Sequence, residues 1–493
     1  MMTPLSVCTF GLVSAACEAA GFHSRPMGAR TERSNCSRVL KGKGTPLVVK
    51  EAAFLSRFSE MTTLRSAASL RLAAAVASSS ARTSVALFLS GWRLGGLAPM
   101  PPQLPQPGSA VLSSAGGASL FGTGTRAAAH MAALVNGTGG VSLELDEGNQ
   151  FAVNHPGVHI IPALWALAEE EGASGAALLE ALVAGYEIAV RVGAATKLRG
   201  PVHPFGTHTI IGTAVGAARL LGHDAALTAR AIELAAGLPI ASSQMAANSG
   251  ASVRNLFTGF TNHNGLLAAK LARAGFCGEP GALETVFGQI LGERFGIAVE
   301  ARIDHFYLTR NYFKIYACSR WNHAPIEAAR DLRAAHGLTP AMIDRVVVHT
   351  YDPATRLGGG RVANAYAAKH SIPFNVAAQL MHGSNDVGVY SDEVVRDPAM
   401  VDLIARVTVR EDPALTALLP GVRAARVEIR LRDGRVVSAQ SDTPIGGFDN
   451  PLPEADLRAK FRRLAALTLP EPAIDALEAD LDRIESLARI RPV

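Results

Sequence analysis

The stretch Leu143-Glu-Leu-Asp-Glu-Gly-Asn-Gln-Phe-Ala-Val-Asn-His-Pro-Gly-Val-His-Ile-Ile-Pro162 decides how this chain is read. It sets three acids, Glu144, Asp146 and Glu147, shortly before two histidines, His155 and His159. No long apolar run and no glycine-rich phosphate loop separates them. Pro156 and Gly157 predict a break in any helix through the histidines, because proline lacks a donor and glycine costs backbone entropy. The stretch therefore reads as a polar loop feeding a buried helix that starts near Pro162. Polar side chains on a loop held by a rigid helical body are a common way to build an active site.

Downstream of that loop the pattern is helical as far as Gly292. Ser174 is placed to cap a helix over Gly175–Ala195, where Leu178, Leu179, Leu182, Val183, Tyr186 and Val190 recur at helical spacing. Residues 210–221, 225–236 and 256–274 read as further helices, each stopped by a glycine (Gly222, Gly237 and Gly275). They are apolar nearly all round, which implies a buried helical core. After Arg310 the texture changes. Residues 345–351 form a β-branched run, and residues 426–432 and 435–440 alternate about Asp433-Gly434, a strong hairpin signal. Residues 446–453 read as a linker, followed by helices over 454–463 and 470–487.

The net charge of +5 is unevenly spread. Residues 1–118 carry 12 Lys/Arg against 4 Glu, whereas the rest carries 35 against 38 Asp/Glu, so the body is mildly acidic and suggests no nucleic-acid partner. No Asp precedes Asp146, and no acid lies between Glu60 and Glu144. This Arg- and Ser-rich segment reads as a transit peptide, as an over-extended start with Met61 as the initiator, or as a frame slip across residues 65–118. The two gene-level readings are preferred, because no cleavage site is evident. Residues 72–92 are interrupted by Arg82 and serines, so no transmembrane helix is expected and the protein is placed in the cytoplasm. Only Cys277 and Cys318 lie in the body, which fits a reducing compartment and excludes a three-cysteine iron–sulfur cluster there.

Five motifs run in order along the body. They are His-Pro-Gly at 155–157, Val253-Arg-Asn-Leu-Phe-Thr-Gly259, Tyr312-Phe-Lys-Ile-Tyr-Ala-Cys-Ser-Arg-Trp-Asn-His323, Lys369-His-Ser-Ile-Pro-Phe374 and Asp449-Asn-Pro-Leu452. In order and spacing the chain resembles the MmgE/PrpD family, which includes 2-methylcitrate dehydratase, cis-aconitate decarboxylase and iminodisuccinate epimerase. The resemblance implies a mainly α protein, a large all-helical domain with a smaller α+β lid domain inserted in it and the site in the cleft between. The boundaries so drawn are 1–118 (atypical), 119–310 (helical), 311–445 (α+β lid) and 446–493, helices that complete the large domain. A homodimer is implied as well.

His155 is the candidate general acid or base, with a helix-capping role as the alternative, and His159 supports it or packs structurally. The Pro-Gly pair removes helical His-x3-His geometry and no third ligand is evident, so no metal is expected, and no cofactor. Glu144 and Asp146 are expected to bind substrate. The resemblance puts a carboxylate-binding base at Arg254 and a catalytic or anion-binding lysine at Lys314. Arg320 and His323, six and nine residues later, read either as completing a cationic wall or as helix-start contacts. His203 and His208 are both site candidates, and the spacing leaves open which one belongs. That altered histidine spacing is the first of three departures, with the acidic segment and position 374 as the others. Glu144 and Gly148 replace the first Asp and the Thr of an Asp-x-Asp-Asp-Thr pattern, and Phe374 stands where several relatives have tyrosine.

Removing a proton α to a carboxylate makes a dianion that is very unstable in water, and fixed cations are the direct way to stabilise it without a metal. One such carbanion can expel β-hydroxide, be reprotonated on its other face, or form by loss of CO2. The expectation is a lyase without metal or cofactor, dehydrating a small di- or tricarboxylate of the 2-methylcitrate type. An epimerase or decarboxylase in the same site is the first alternative, and an inactive helical scaffold the second.

Overall fold

The computed structural model describes residues 116–296, 306–359, 362–467 and 469–492. The atypical charge segment up to residue 115 lies outside them. The protein is mainly helical. Helix α1 spans Ala129–Gly140, α2 Pro156–Glu171, α3 Gly175–Ala195, α4 Ile210–Leu220, α5 Ala225–Ala236 and α6 Val253–Arg273.

Local chemistry accounts for several of these limits. The Ser174 hydroxyl accepts from Ala177 N at 3.2 Å to open α3, and the Asp224 carboxylate accepts from Leu227 N at 2.8 Å to open α5. Gly172 closes α2 in the left-handed region at φ 65°. Small residues let the helices approach closely: a Cβ on Gly212 of α4 would stand 2.3 Å from the Gly185 carbonyl oxygen of α3. Alanine at either position would force the two backbones apart.

The break expected at Pro156-Gly157 is absent. Pro156 is the first residue of α2, where its missing N–H would have had no partner anyway and its fixed φ suits the helix. The helix therefore begins six residues ahead of Pro162, with His155 at its N-cap and His159 inside its first turns.

Beyond Arg310 the chain builds α7 (His323–His336), strand β1 (Ile343–Thr350), α8 (Ile372–His382), α9 (Pro398–Ala405), β2 (Val407–Glu411), β3 (Ala425–Leu431) and β4 (Val436–Ser441). The sheet order is β4-β3-β1-β2, with β2 parallel to β1 and the other pairings antiparallel. Asp433-Gly434 forms the β3–β4 turn, and Gly434 takes φ 91° as that turn requires.

Helices α10 (Glu454–Ala465) and α11 (Glu471–Asp482) follow. Phe461, Ile474 and Leu481 of these helices share one apolar core with Ile160, Leu164 and Leu182 of α2 and α3. A second core gathers Ile326, Val346, Phe374 and Val427 from the sheet-bearing segment, and it also takes in Leu143 and Leu145. Leu143 and Leu145 alternate with Glu144 and Asp146, so the acidic loop is pinned by its apolar residues while its carboxylates turn another way. Among the described residues no helix is long and apolar enough to cross a membrane.

Candidate active site

Two short strand segments set the site. Glu147-Gly148 pairs antiparallel with Tyr312-Phe313, Glu147 opposite Phe313 and Gly148 opposite Tyr312. Extending that register one residue places Asp146 opposite Lys314, and Lys314 N approaches Asp146 O at 3.4 Å. The Lys314 ammonium, fully buried, donates to Glu144 Oε2 at 2.7 Å and to Asp146 Oδ1 at 2.9 Å. Arg254, in the first turn of α6, forms an ion pair with Glu144 Oε1. Glu144 itself adopts φ 56°, a left-handed conformation that side chains other than glycine rarely take. Buried strain of this kind persists only where the surroundings over-determine it, and here two cations hold the carboxylate.

The Asp146 carboxylate bridges two partners. Its Oδ1 takes Lys314 and its Oδ2 takes His155 Nδ1 in a short contact. Nδ1 of His155 thus donates, and Nε2 is left as the basic nitrogen. That nitrogen lies 3.4 Å from the Tyr312 hydroxyl. Burial opposes the charge on Asp146, but Lys314 and His155 outweigh it and bring its pKa down to about 2. Burial likewise holds His155 below its ordinary value despite Asp146, so the ring is neutral at pH 7. Glu144 is held well below the carboxylate range by Arg254 and Lys314 against its own burial. Lys314 is buried too, yet Asp146 and Glu144 raise its pKa above the ordinary lysine value.

Arg254 and Lys314, the cations expected to meet substrate, are thus paired inside the protein with Glu144 and Asp146, the acids expected to bind it. The other candidates divide. Arg254 lies with its guanidinium 4.1 Å over the Phe205 ring, and that ring also meets His155, His159 and His203 edge-on. Of the two open candidates, His203 joins this cluster. His208 turns to Asn154 instead, 3.4 Å from its amide nitrogen, and burial brings its pKa down to about 4. His159 Nδ1 lies 2.7 Å from the His155 carbonyl oxygen one helical turn back, supporting the N-cap. Arg320 donates to Pro444 O at 2.7 Å and Ile445 O at 2.8 Å, and its guanidinium stacks 4.8 Å over Tyr312. His323 is buried beside Arg320, and burial holds its pKa well below the usual value, so this wall carries one positive charge rather than two.

Four residues here had no role in the sequence reading. Phe205 lay between the two histidines that drew attention. Tyr312 sits two residues before Lys314, a spacing that puts both on one face of a strand, and this signal was present. His370 approaches Glu144 Oε1 at 3.9 Å, and Lys460 of α10 donates to Leu145 O at 2.8 Å and Lys314 O at 2.6 Å. His370 stands in the Lys369–Phe374 motif without a role having been read for it, and Lys460 left no local signal. Phe374 packs in the second core against Tyr390.

Glu147 anchors the helix that carries His155. Its Oε2 accepts from Gly157 N at 2.8 Å and its Oε1 from the Tyr186 hydroxyl at 2.6 Å. Gly157 is required there, because a Cβ would stand 2.6 Å from Glu147 Oε2. Burial pushes the Glu147 carboxyl up to about 8 and Glu187 up to about 7. A carboxyl with a raised folded pKa keeps its proton longer in the folded chain, so its stability contribution is full below the unfolded value and falls as pH rises through the folded one. Asp146 acts oppositely, its contribution being lost as pH falls toward 2. The buried histidines with lowered pKa, His155 and His208 among them, act oppositely below the ordinary histidine value, so the carboxyl contribution is read by difference: the Tm advantage of the parent chain over Glu147→Gln should shrink as pH rises from about 5 to about 8. A Tm difference that stays constant or grows across that interval would contradict it.

Comparison with known proteins identifies the family. The MmgE/PrpD N-terminal domain matches residues 99–291 and the MmgE/PrpD C-terminal domain matches residues 316–483. The chain belongs to the MmgE/PrpD family. Among curated MmgE/PrpD relatives, the cis-aconitate decarboxylase of Aspergillus terreus is 25% identical over 416 residues, covering 77% of this chain and 83% of its own. The cis-aconitate decarboxylase of Mus musculus is 26% identical over 379 residues, covering 72% and 76%. The 2-methylcitrate dehydratase of Cupriavidus necator is 30% identical over 176 residues, covering 33% and 36%. Both named activities are lyase reactions, and the chain is a lyase of this family.

Proposed function

We propose that this lyase removes the α-proton of a small di- or tricarboxylate and expels a β-hydroxide, a dehydration of the 2-methylcitrate type needing no metal or cofactor. The observation that carries the reading is the Asp146–His155 pair. A carboxylate that fixes one ring nitrogen leaves the other as a neutral base, and proton abstraction needs such a base whereas loss of CO2 does not. Arg254 stands behind that base as the cation for a substrate carboxylate, and Glu144 and Asp146 hold the two cations in place. The sheet-bearing segment of residues 311–445 is read as a lid over the site. The working form is read as a homodimer in the cytoplasm, where the thiols of the two body cysteines would stay reduced.

Decarboxylation is the second reading, because the relatives matched along about three quarters of the chain bear that name. A thermal-shift screen with citrate-like and succinate-like acids, followed by NMR of the products in deuterated water, separates the readings. A ligand that binds only the native state raises Tm, and at least one acid is expected to do so. An alkene formed with water supports dehydration, and CO2 release supports decarboxylation. Deuterium washed into unchanged or epimerised acid supports epimerisation. No shift with any acid would favour the inactive scaffold. Chelators are expected to leave turnover unchanged.

A further inference from the structure

Gly148 and Tyr312 face each other across the short ladder, and a Cβ on Gly148 would stand 2.3 Å from the Tyr312 hydroxyl oxygen. The residue that replaces threonine in the acidic pattern is thus the one whose missing side chain admits a phenol. The ring is buried, 4% exposed, and its hydroxyl lies 3.4 Å from Nε2 of the candidate base, His155. Phe374, the other place where a hydroxyl is lost, packs its ring against Tyr390 in the apolar core. Tyr312 is the hydroxyl that the base nitrogen meets.

We propose that Tyr312 is the general acid of the reaction, donating its proton to the departing β-hydroxide while His155 removes the α-proton. The inference rests on the dehydratase reading and adds the residue that reading leaves unnamed. The Cα–H bond breaks with its proton going to His155 Nε2, and its electron pair forms the Cα=Cβ double bond. The Cβ–O bond breaks, and the oxygen keeps that pair, takes the Tyr312 proton and leaves as water. Imidazolium and phenolate remain side by side, and transfer of the proton from one to the other along their hydrogen bond restores both. The sum is acid to alkene and water, with the protein unchanged.

The surroundings suit each state. Burial raises the phenol above its ordinary value, so it holds its proton until the leaving oxygen takes it. Arg320 over the ring, with Lys314 and Arg423 nearby, steadies the transient phenolate against the charge of Asp146.

The test compares Tyr312→Phe with the unmodified protein on a β-hydroxy acid that the latter turns over, and on its β-fluoro analogue, since fluoride leaves without a proton. Dehydration is expected to fall by about a hundredfold or more, the usual contribution of a positioned acid. Exchange of the α-proton with deuterium and expulsion of fluoride should stay close to parental rates. Parental dehydration by Tyr312→Phe, or equal loss of exchange and dehydration, would overturn the assignment, the latter because the phenol would then only be holding His155. Fluorotyrosine at position 312 guards against a packing effect: a more acidic phenol should move the alkaline limb of dehydration to lower pH, and an unmoved limb would also overturn it. Failure of the unmodified protein to exchange or dehydrate any polycarboxylate would remove the dehydratase reading, and this assignment with it.

Discussion

Lys314→Met is expected to lower kcat by at least about a hundredfold, the usual cost of removing one donor that acts on the transition state. It should also destabilise the fold by about 3–5 kcal/mol, since Asp146 and Glu144 would be left buried with a counter-ion removed. Two of the three ammonium donors are spent on those acids, so a loss of activity alone would not distinguish chemistry from charge balance. The double variant Lys314→Met/Glu144→Gln makes the distinction. It removes one charge of each sign, so Tm should recover much of the loss while turnover stays low. Recovery of turnover in the double variant would show that the lysine is only a counter-ion. Arg254→Met is expected to raise KM as well, since the cation proposed for a substrate carboxylate is removed.

His155→Ala is expected to abolish exchange of the substrate α-proton with solvent deuterium. Asp146→Asn should lower kcat by about 10^3–10^4-fold, because an amide no longer fixes the tautomer that leaves Nε2 basic. The pH profile follows from the same pair. Burial depresses the His155 pKa, so kcat/KM should stay high down to below the ordinary histidine range and then fall as the ring takes up a proton. Rapid exchange by His155→Ala would move the base elsewhere, with His203 beside Phe205 as the alternative to test.

The amino-acid sequence by itself determined what depends on a few neighbouring residues. Helices over Gly175–Ala195 and Ala225–Ala236 are legible because Ser174 and Asp224 cap them locally, and the β3–β4 hairpin because Asp433-Gly434 suits its turn. The residue types of the site, Glu144, Asp146, His155, Arg254 and Lys314, are legible in the same way, through motifs in order. One local rule misled: proline breaks a helix interior but favours its first turn, and only the chain's path shows which applies at Pro156.

Tertiary structure alone decided the partners. Lys314 meets Glu144 across 170 positions of sequence, and Lys460 meets Leu145 across 315. Periodicity and capping reach over a few residues, whereas a buried ion pair depends on where distant segments cross. For that reason the cations legible in the sequence proved to be paired, and the hydroxyl beside the base proved to be that of Tyr312, facing a glycine.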